Sequence, residues 1–180
     1  MTPLPLAYSA PPQDITDAMR VAAQISGLAA VLFSGAIFGF FYAWICSTMW
    51  GLDSTDPRIA IQAMQAMNGS VRNMVFAPAF FGTPFVLGIA ALLALKVDNT
   101  QAAVAFGLGG VIYALGGVFL TMTVNVPMNE ALGALPVPTD IDAAREIWVA
   151  YSDEWQLYNT IRTVFSGIAL ALAGFGMMRL

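Results

Sequence analysis

The 180-residue chain reads as an all-α integral membrane protein: an antiparallel four-helix bundle with two long helical links capping one end. Three observations predict it. Hydrophobic residues make up 58% of the chain and charged residues 10%, with a mean hydropathy of +0.72, whereas a soluble domain carries roughly 25% charged residues. Four apolar runs, at about 21–44, 74–95, 102–124 and 161–178, each approach the ~20 residues that cross a hydrocarbon core. The connections are also unequal. A tight turn joins the second and third runs, while the first and third links are long and lie on one side of the membrane.

Taken in order, residues 1–20 form a polar, proline-containing leader with Asp14 and Asp17. Without a basic n-region, the run that follows is expected to be a span rather than a cleaved signal peptide. Residues 21–180 then make one transmembrane domain. Gly35, Gly39 and Ala43 form a small-residue stripe suited to close helix packing. In the first link, Asp56 and Pro57 stand as N-cap and first helical residue. That helix is expected to run on into the second span, bending at Pro78 and Pro84. In "KVDNT", Asp98 or Asn99 caps the third span.

The third run ends in "TMTVNVPMNE", residues 121–130. Two readings stand: a capped helix end with a proline stop, or a helix that continues. In the second, Thr121, Asn125 and Asn129 share a face, and Pro127 frees carbonyls for other donors. The third link starts a helix near Thr139, which nothing breaks before the fourth span.

That long helix carries the clearest pattern. Trp148, Tyr151, Trp155, Tyr158 and Arg162 recur at spacings of 3, 4, 3 and 4, so they share a face. An interfacial aromatic belt with a snorkelling arginine uses the same residue types. A belt needs only one depth, however, and this stripe descends over about 21 Å. An arginine entering the apolar zone marks a polar cluster, and Asn159 lies beside it. In the first link, Gln65, Asn68 and Arg72 form a further polar stripe, suited either to the wet face of an interfacial helix or to a pocket roof.

Composition removes several functions. There is no histidine, so the usual haem, zinc, copper and non-haem iron ligand is missing. A single cysteine, Cys46, excludes a disulfide within the chain and a thiolate metal cluster. A net charge of −4 without a Lys/Arg cluster gives no basis for nucleic-acid binding.

The segments "AMQAMN…VRN" (63–73), "TVNVPMNEAL" (123–132) and the Trp148, Tyr151, Trp155, Asn159, Arg162 series together resemble a family of small four-span membrane proteins. The likeness covers about residues 20–180. The family is largely known as a domain of unknown function, and its characterised members are anthrone oxygenases of polyketide pathways. The resemblance implies an oxygenase that takes a hydrophobic aromatic substrate and O2, with no metal or other cofactor, and turns an anthrone-like or hydroquinone-like ring into a quinone. It implies catalytic oxyanion donors in Arg162, Asn125, Asn129 and Asn159, and substrate contacts from Trp148, Tyr151, Trp155, Tyr158, Gln65, Asn68 and Arg72. Asp153 and Glu130 are the candidate bases. The alternative class is a non-catalytic accessory subunit, homo-oligomeric or bound to another membrane protein, or a quinone- or lipid-binding protein. An enclosed pocket lined by Arg162 and the asparagines would separate the enzyme from these.

Topology follows from the cations. Arg20, Lys96 and Arg179 flank one side, and Arg58, Arg72, Arg145 and Arg162 the other. With Arg72 and Arg162 recruited into a polar cluster, the balance places both termini in the cytoplasm.

Overall fold

The computed structural model describes residues 13–180, leaving aside the side chains of 14 and 15. It is helical throughout, without a strand among the described residues. Helix α1 (Gln13–Ala43) widens into a π-helical stretch, Trp44–Thr48, and continues as α2 (Met49–Asp53). After a short turn comes α3 (Pro57–Ser70), then α4 (Phe76–Lys96) and α5 (Thr100–Tyr113). Two further π-helical stretches, Ala114–Phe119 and Thr121–Asn125, lead from α5 into α6 (Val126–Gly133), and α7 (Ile141–Arg179) closes the chain. The first twelve residues of the expected leader lie outside the described residues, and Gln13 onward already belongs to α1.

Among the described residues, four stretches are long and apolar enough to cross a membrane: Thr16–Asp53, Phe76–Lys96, Thr100–Gly133 and Ile141–Arg179. Each packs on two neighbours, α1 on α4 and α7, and α5 on the same pair. Their outer faces are apolar in helical register. Val21, Ile25, Leu28 and Leu32 on α1, and Val104, Leu108, Val111 and Leu115 on the third span, are all more than half exposed. Such surfaces belong in lipid, where exposing them costs nothing. Helix α4, with 21 residues, is about 32 Å long and matches the ~30 Å core. The other three are longer and project at the link end.

Caps fix the boundaries. Asp56 accepts the N–H of Arg58 at 2.9 Å, Asn99 that of Ala102 at 3.1 Å, and Asp140 that of Ala143 at 2.8 Å. Asp98, at φ 58°, sits in the left-handed region that lets the turn before α5 close. The chain departs from the sequence expectation between α3 and α4. The helix beginning at Pro57 stops at Ser70 instead of running into the second span. Asn73 is the reason: its Oδ1 accepts from Val75 and Phe76 N–H at 2.8 and 3.0 Å, while its Nδ2 donates to the Ser70 carbonyl. One side chain thus ends one helix and starts the next.

The opposite outcome holds at Pro127. The helix does not stop there but continues to Gly133. A proline ring meets the carbonyl four residues back, and the preceding turn relieves this by widening: Val126 N–H reaches the Thr121 carbonyl, an i→i+5 bond. Pro84 shows the same principle with a different remedy. It leaves the Phe80 carbonyl without its helical donor, and the buried Tyr113 hydroxyl on α5 donates to that oxygen at 2.9 Å.

Two packing regimes result. Toward the termini the core is built from Ala30, Ala90, Ala94, Ala102, Ala103 and Ala173 around Leu87 and Phe106. Helices close in so far that a Cβ on Gly176 would stand 2.9 Å from the Phe106 ring. At the link end, Met49, Ile61, Met64, Leu132, Trp148, Tyr151 and Trp155 form a bulkier core beneath α3 and α6.

Candidate functional site

Between these ends lies a cavity of about 500 Å³. Its wall comes from α1 (Phe40, Phe41) and Trp44, the end of α3 (Met67, Asn68), the break at Val71–Met74, α4 (Phe76, Phe80, Phe81), the third span (Thr121, Met122, Val126, Asn129, Glu130) and α7 (Trp155, Arg162). The size is that of an ordinary small-molecule site.

Arg162 forms the floor, at 5% exposure. Its Nε donates to Asn159 Oδ1 at 3.0 Å and its Nη1 to Thr121 Oγ1 at 3.3 Å. The guanidinium lies 4.4 Å from the Phe41 ring centroid and 5.0 Å from that of Trp155. Among the described residues no carboxylate pairs with it. A guanidinium has five N–H donors, so this buried cation reaches the cavity with hydrogen-bonding capacity and charge unspent. Asn159 holds it from behind: its Nδ2 donates to the Phe41 carbonyl at 3.2 Å, a carbonyl just before the widened turn at Trp44.

Asn129 forms the second polar post. Its Oδ1 accepts from the Tyr151 hydroxyl at 2.8 Å and from Trp155 Nε1 at 2.9 Å. With the carbonyl side anchored twice, the amide N–H pair is left for the cavity. Asn68 Nδ2 reaches the same Tyr151 oxygen at 3.4 Å, tying the roof to the stripe on α7. At the mouth, Arg72 Nη2 meets Glu130 Oε1 at 3.1 Å, both side chains more than half exposed.

The candidates read from sequence therefore separate into three groups. Asn68, Arg72, Asn129, Trp155 and Arg162 lie on the cavity wall. Tyr151 and Asn159 stand one layer behind and orient wall residues. Gln65, Asn125, Trp148 and Tyr158 lie off the wall. Gln65 donates to the Leu132 and Leu135 carbonyls at 2.9 and 3.0 Å, closing the end of α6. Trp148 Nε1 donates to Asp53 Oδ1 at 2.9 Å. Asn125 is fully buried, and neither its Oδ1 nor its Nδ2 finds a partner. Of the two candidate bases, Glu130 is on the wall and Asp153 faces outward.

Some participants carried no signal in sequence. Phe41 and Trp44 sit in an apolar run where no spacing distinguishes them, yet they face Arg162 and Trp155, the two tryptophan rings 5.0 Å apart. Asp53, a lone acid after the first span, accepts from Trp148, Ser152 and Gln156 and clasps α2 to α7.

Residues 73–172 match the family model described as Anthrone oxygenase, more than half of the chain. The chain belongs to the anthrone oxygenase family. No curated protein and no solved structure matches it. The matched segment holds Asn73, Thr121, Asn129, Glu130, Trp155 and Arg162 of the cavity wall, while α1 and the roof helix α3 fall outside it.

Proposed function

We propose that this anthrone oxygenase family member is a membrane-embedded, cofactor-independent oxygenase acting on anthrone-like or hydroquinone-like aromatics with O2. The observation that carries the reading is Arg162: a buried guanidinium with no carboxylate partner among the described residues, under a cavity walled by Phe40, Phe41, Trp44, Phe76 and Trp155. An anthrone becomes acidic once its ring system can delocalise the charge onto oxygen. Preorganised donors in a dry site stabilise such an oxyanion, and the free N–H groups of Arg162 and Asn129 are suited to this. The flat rings stack against Trp44 and Trp155. Asn159, Thr121 and Tyr151 act through the groups they orient, and Asn125 adds an unpartnered amide buried off the wall.

On this reading Glu130, the carboxylate on the wall, accepts the proton. The resulting carbanion gives one electron to O2, the radical pair combines to form a C–O bond, and the peroxide anion takes the proton back to become a hydroperoxide. Loss of water from the hydroperoxide leaves the carbonyl, so one anthrone CH2 and one O2 become one C=O and one water. The wall residues fit a reaction without a metal: Glu130 is their only carboxylate and none is a histidine or cysteine.

The test is oxygen uptake by protein reconstituted in lipid, with a panel of anthrones and hydroquinones, and metal and flavin analysis of the same sample. Uptake of one O2 per quinone formed, undiminished by chelator, is expected. Tight ring binding with no uptake would replace the enzyme by a quinone-binding protein. With Arg72 and Arg162 engaged at the cavity, we further infer cytoplasmic termini in the cell membrane; a C-terminal reporter active outside the cytoplasm would reverse this.

A further inference from the structure

The cavity's mouth has two unlike edges. Six wall residues also show substantial outer surface: Arg72, Asn73 and Glu130 on one edge, and Met74, Phe81 and Met122 on the other. Met74 is 83% exposed, and Phe81 and Met122 are each 46% exposed.

Depth along the helices tells which solvent each edge meets. Lys96 and Thr100 flank the tight turn and mark one membrane boundary. Phe81 stands about 22 Å along α4 from that boundary, and Met122 about 33 Å along the third span. The hydrocarbon core is ~30 Å thick, so this edge lies inside it and at its far border. Glu130 stands about 45 Å along, among headgroups and water. The Arg72–Glu130 pair ties the wet edge together at 3.1 Å. The exposed lining residues of the other edge, Met74, Phe81 and Met122, are all apolar.

We infer that the cavity is loaded sideways from the bilayer, through a slot between the N-terminal half of α4 and Met122 of the third span. The ligand it takes is then a flat, lipid-dissolved aromatic that never crosses the headgroup layer in free form. The slot leads past Phe81 and Met122 to Phe80, Trp155 and Arg162, so the ring slides in along aromatic surface and meets its charge partner last. This rests on the reading that the cavity holds a flat aromatic, and it adds the route and the phase from which that molecule comes.

The experiment uses the full chain in lipid nanodiscs with Trp50→Phe, which removes an exposed tryptophan outside the cavity. A dihydroxyanthraquinone, already oxidised and so not turned over, is mixed in, and quenching of Trp44 and Trp155 is followed by stopped flow. Met122→Phe narrows the slot and Phe81→Ala widens it. We expect Met122→Phe to slow association and dissociation together by about tenfold, and Phe81→Ala to speed both, because a portal changes rates more than affinity. Opposite responses from the two variants guard against a folding artefact. Unchanged rates in both, or a rate that rises only when Arg72→Ala opens the wet edge, would overturn the lateral route while leaving the proposed function standing. No quenching by the wild type at equilibrium would overturn both.

Discussion

The two ends of this bundle solve the same packing problem with opposite means. At the terminus end, small residues let helices meet closely: Ala90, Ala94, Ala102 and Ala173 are fully buried, and Gly176 accepts the Phe106 ring at its backbone. At the link end the spans are held apart by Trp44, Trp155 and Phe41, two of them widen into π-helical turns, and a cavity opens. The contrast teaches where function can reside in a protein of this size. Between helices in lipid there is little hydrophobic driving force, so close packing stabilises; the half that forgoes it must be joined by hydrogen bonds. Hence Asn129, Asn159, Asp53 and Tyr113 each bridge two helices at the cavity or just beneath it.

If that division is real, substitutions at the link end alter function before stability, and those at the terminus end do the reverse. Arg162→Lys tests it most severely. A lysine keeps the charge but loses the planar fork that serves Asn159, Thr121 and ligand at once. Turnover should fall roughly 100-fold or more, with thermal unfolding in detergent little changed. Full activity in this variant would break the comparison.

Asn129→Ala removes the acceptor shared by Tyr151 and Trp155. Stability should fall by about 1–3 kcal/mol, the cost of leaving buried donors unmet, and ring binding should weaken with it because Trp155 loses its tether. Denaturation in mixed micelles and the quenching titration give the two numbers. Just below the cavity, Gly116→Ala would set a Cβ 2.1 Å from the Phe165 ring and 2.5 Å from Phe165 Cβ, which no rotamer of Phe165 relieves. Overpacking of this kind costs about 1–3 kcal/mol. Activity per folded molecule should stay level, and a specific loss of activity would extend the site downward.

Asn125 sharpens the contrast further. Both of its polar atoms are buried and unpartnered, so Asn125→Leu should raise stability by about 1 kcal/mol while lowering turnover, a gain and a loss that are common where a site holds strain. A rise in both would remove Asn125 from the site. The smallest effect is expected outside the membrane. The Arg58 hydrogen bond holds the Asp56 carboxyl down at about 2, from 3.8. A depressed carboxyl stabilises above its unfolded value and loses that contribution as pH falls toward 2. The helicity of α3, followed by circular dichroism, should decline only in that window, and Asp56→Asn should flatten the decline.

The same contrast separates what was legible in the chain from what was not. The four spans, the tight turn with its Asn99 cap and the long α7 follow from composition and local rules, because lipid demands unbroken helices and caps act within a few residues. The stripe ending at Arg162 was legible too, since helical spacing alone puts its members on one face. Local rules misled at Asn73, whose side chain divides a helix that propensity would continue. At Pro127 they left two outcomes open, and the widened turn carries the helix through.

The sequence by itself determined that this protein lives in a bilayer, crosses it in four spans and carries an arginine entering the apolar zone that needs an explanation. Only the tertiary structure decided which partners that arginine has. Phe41 and Trp44 come from a helix more than a hundred positions away, Trp148 turns aside to Asp53, and Asn159 spends its amide on the Phe41 carbonyl. Spacing along one helix assigns a side chain to a face. What that face meets depends on which helices lie beside it and on how far each turn widens, and both are settled by packing among residues remote in the chain.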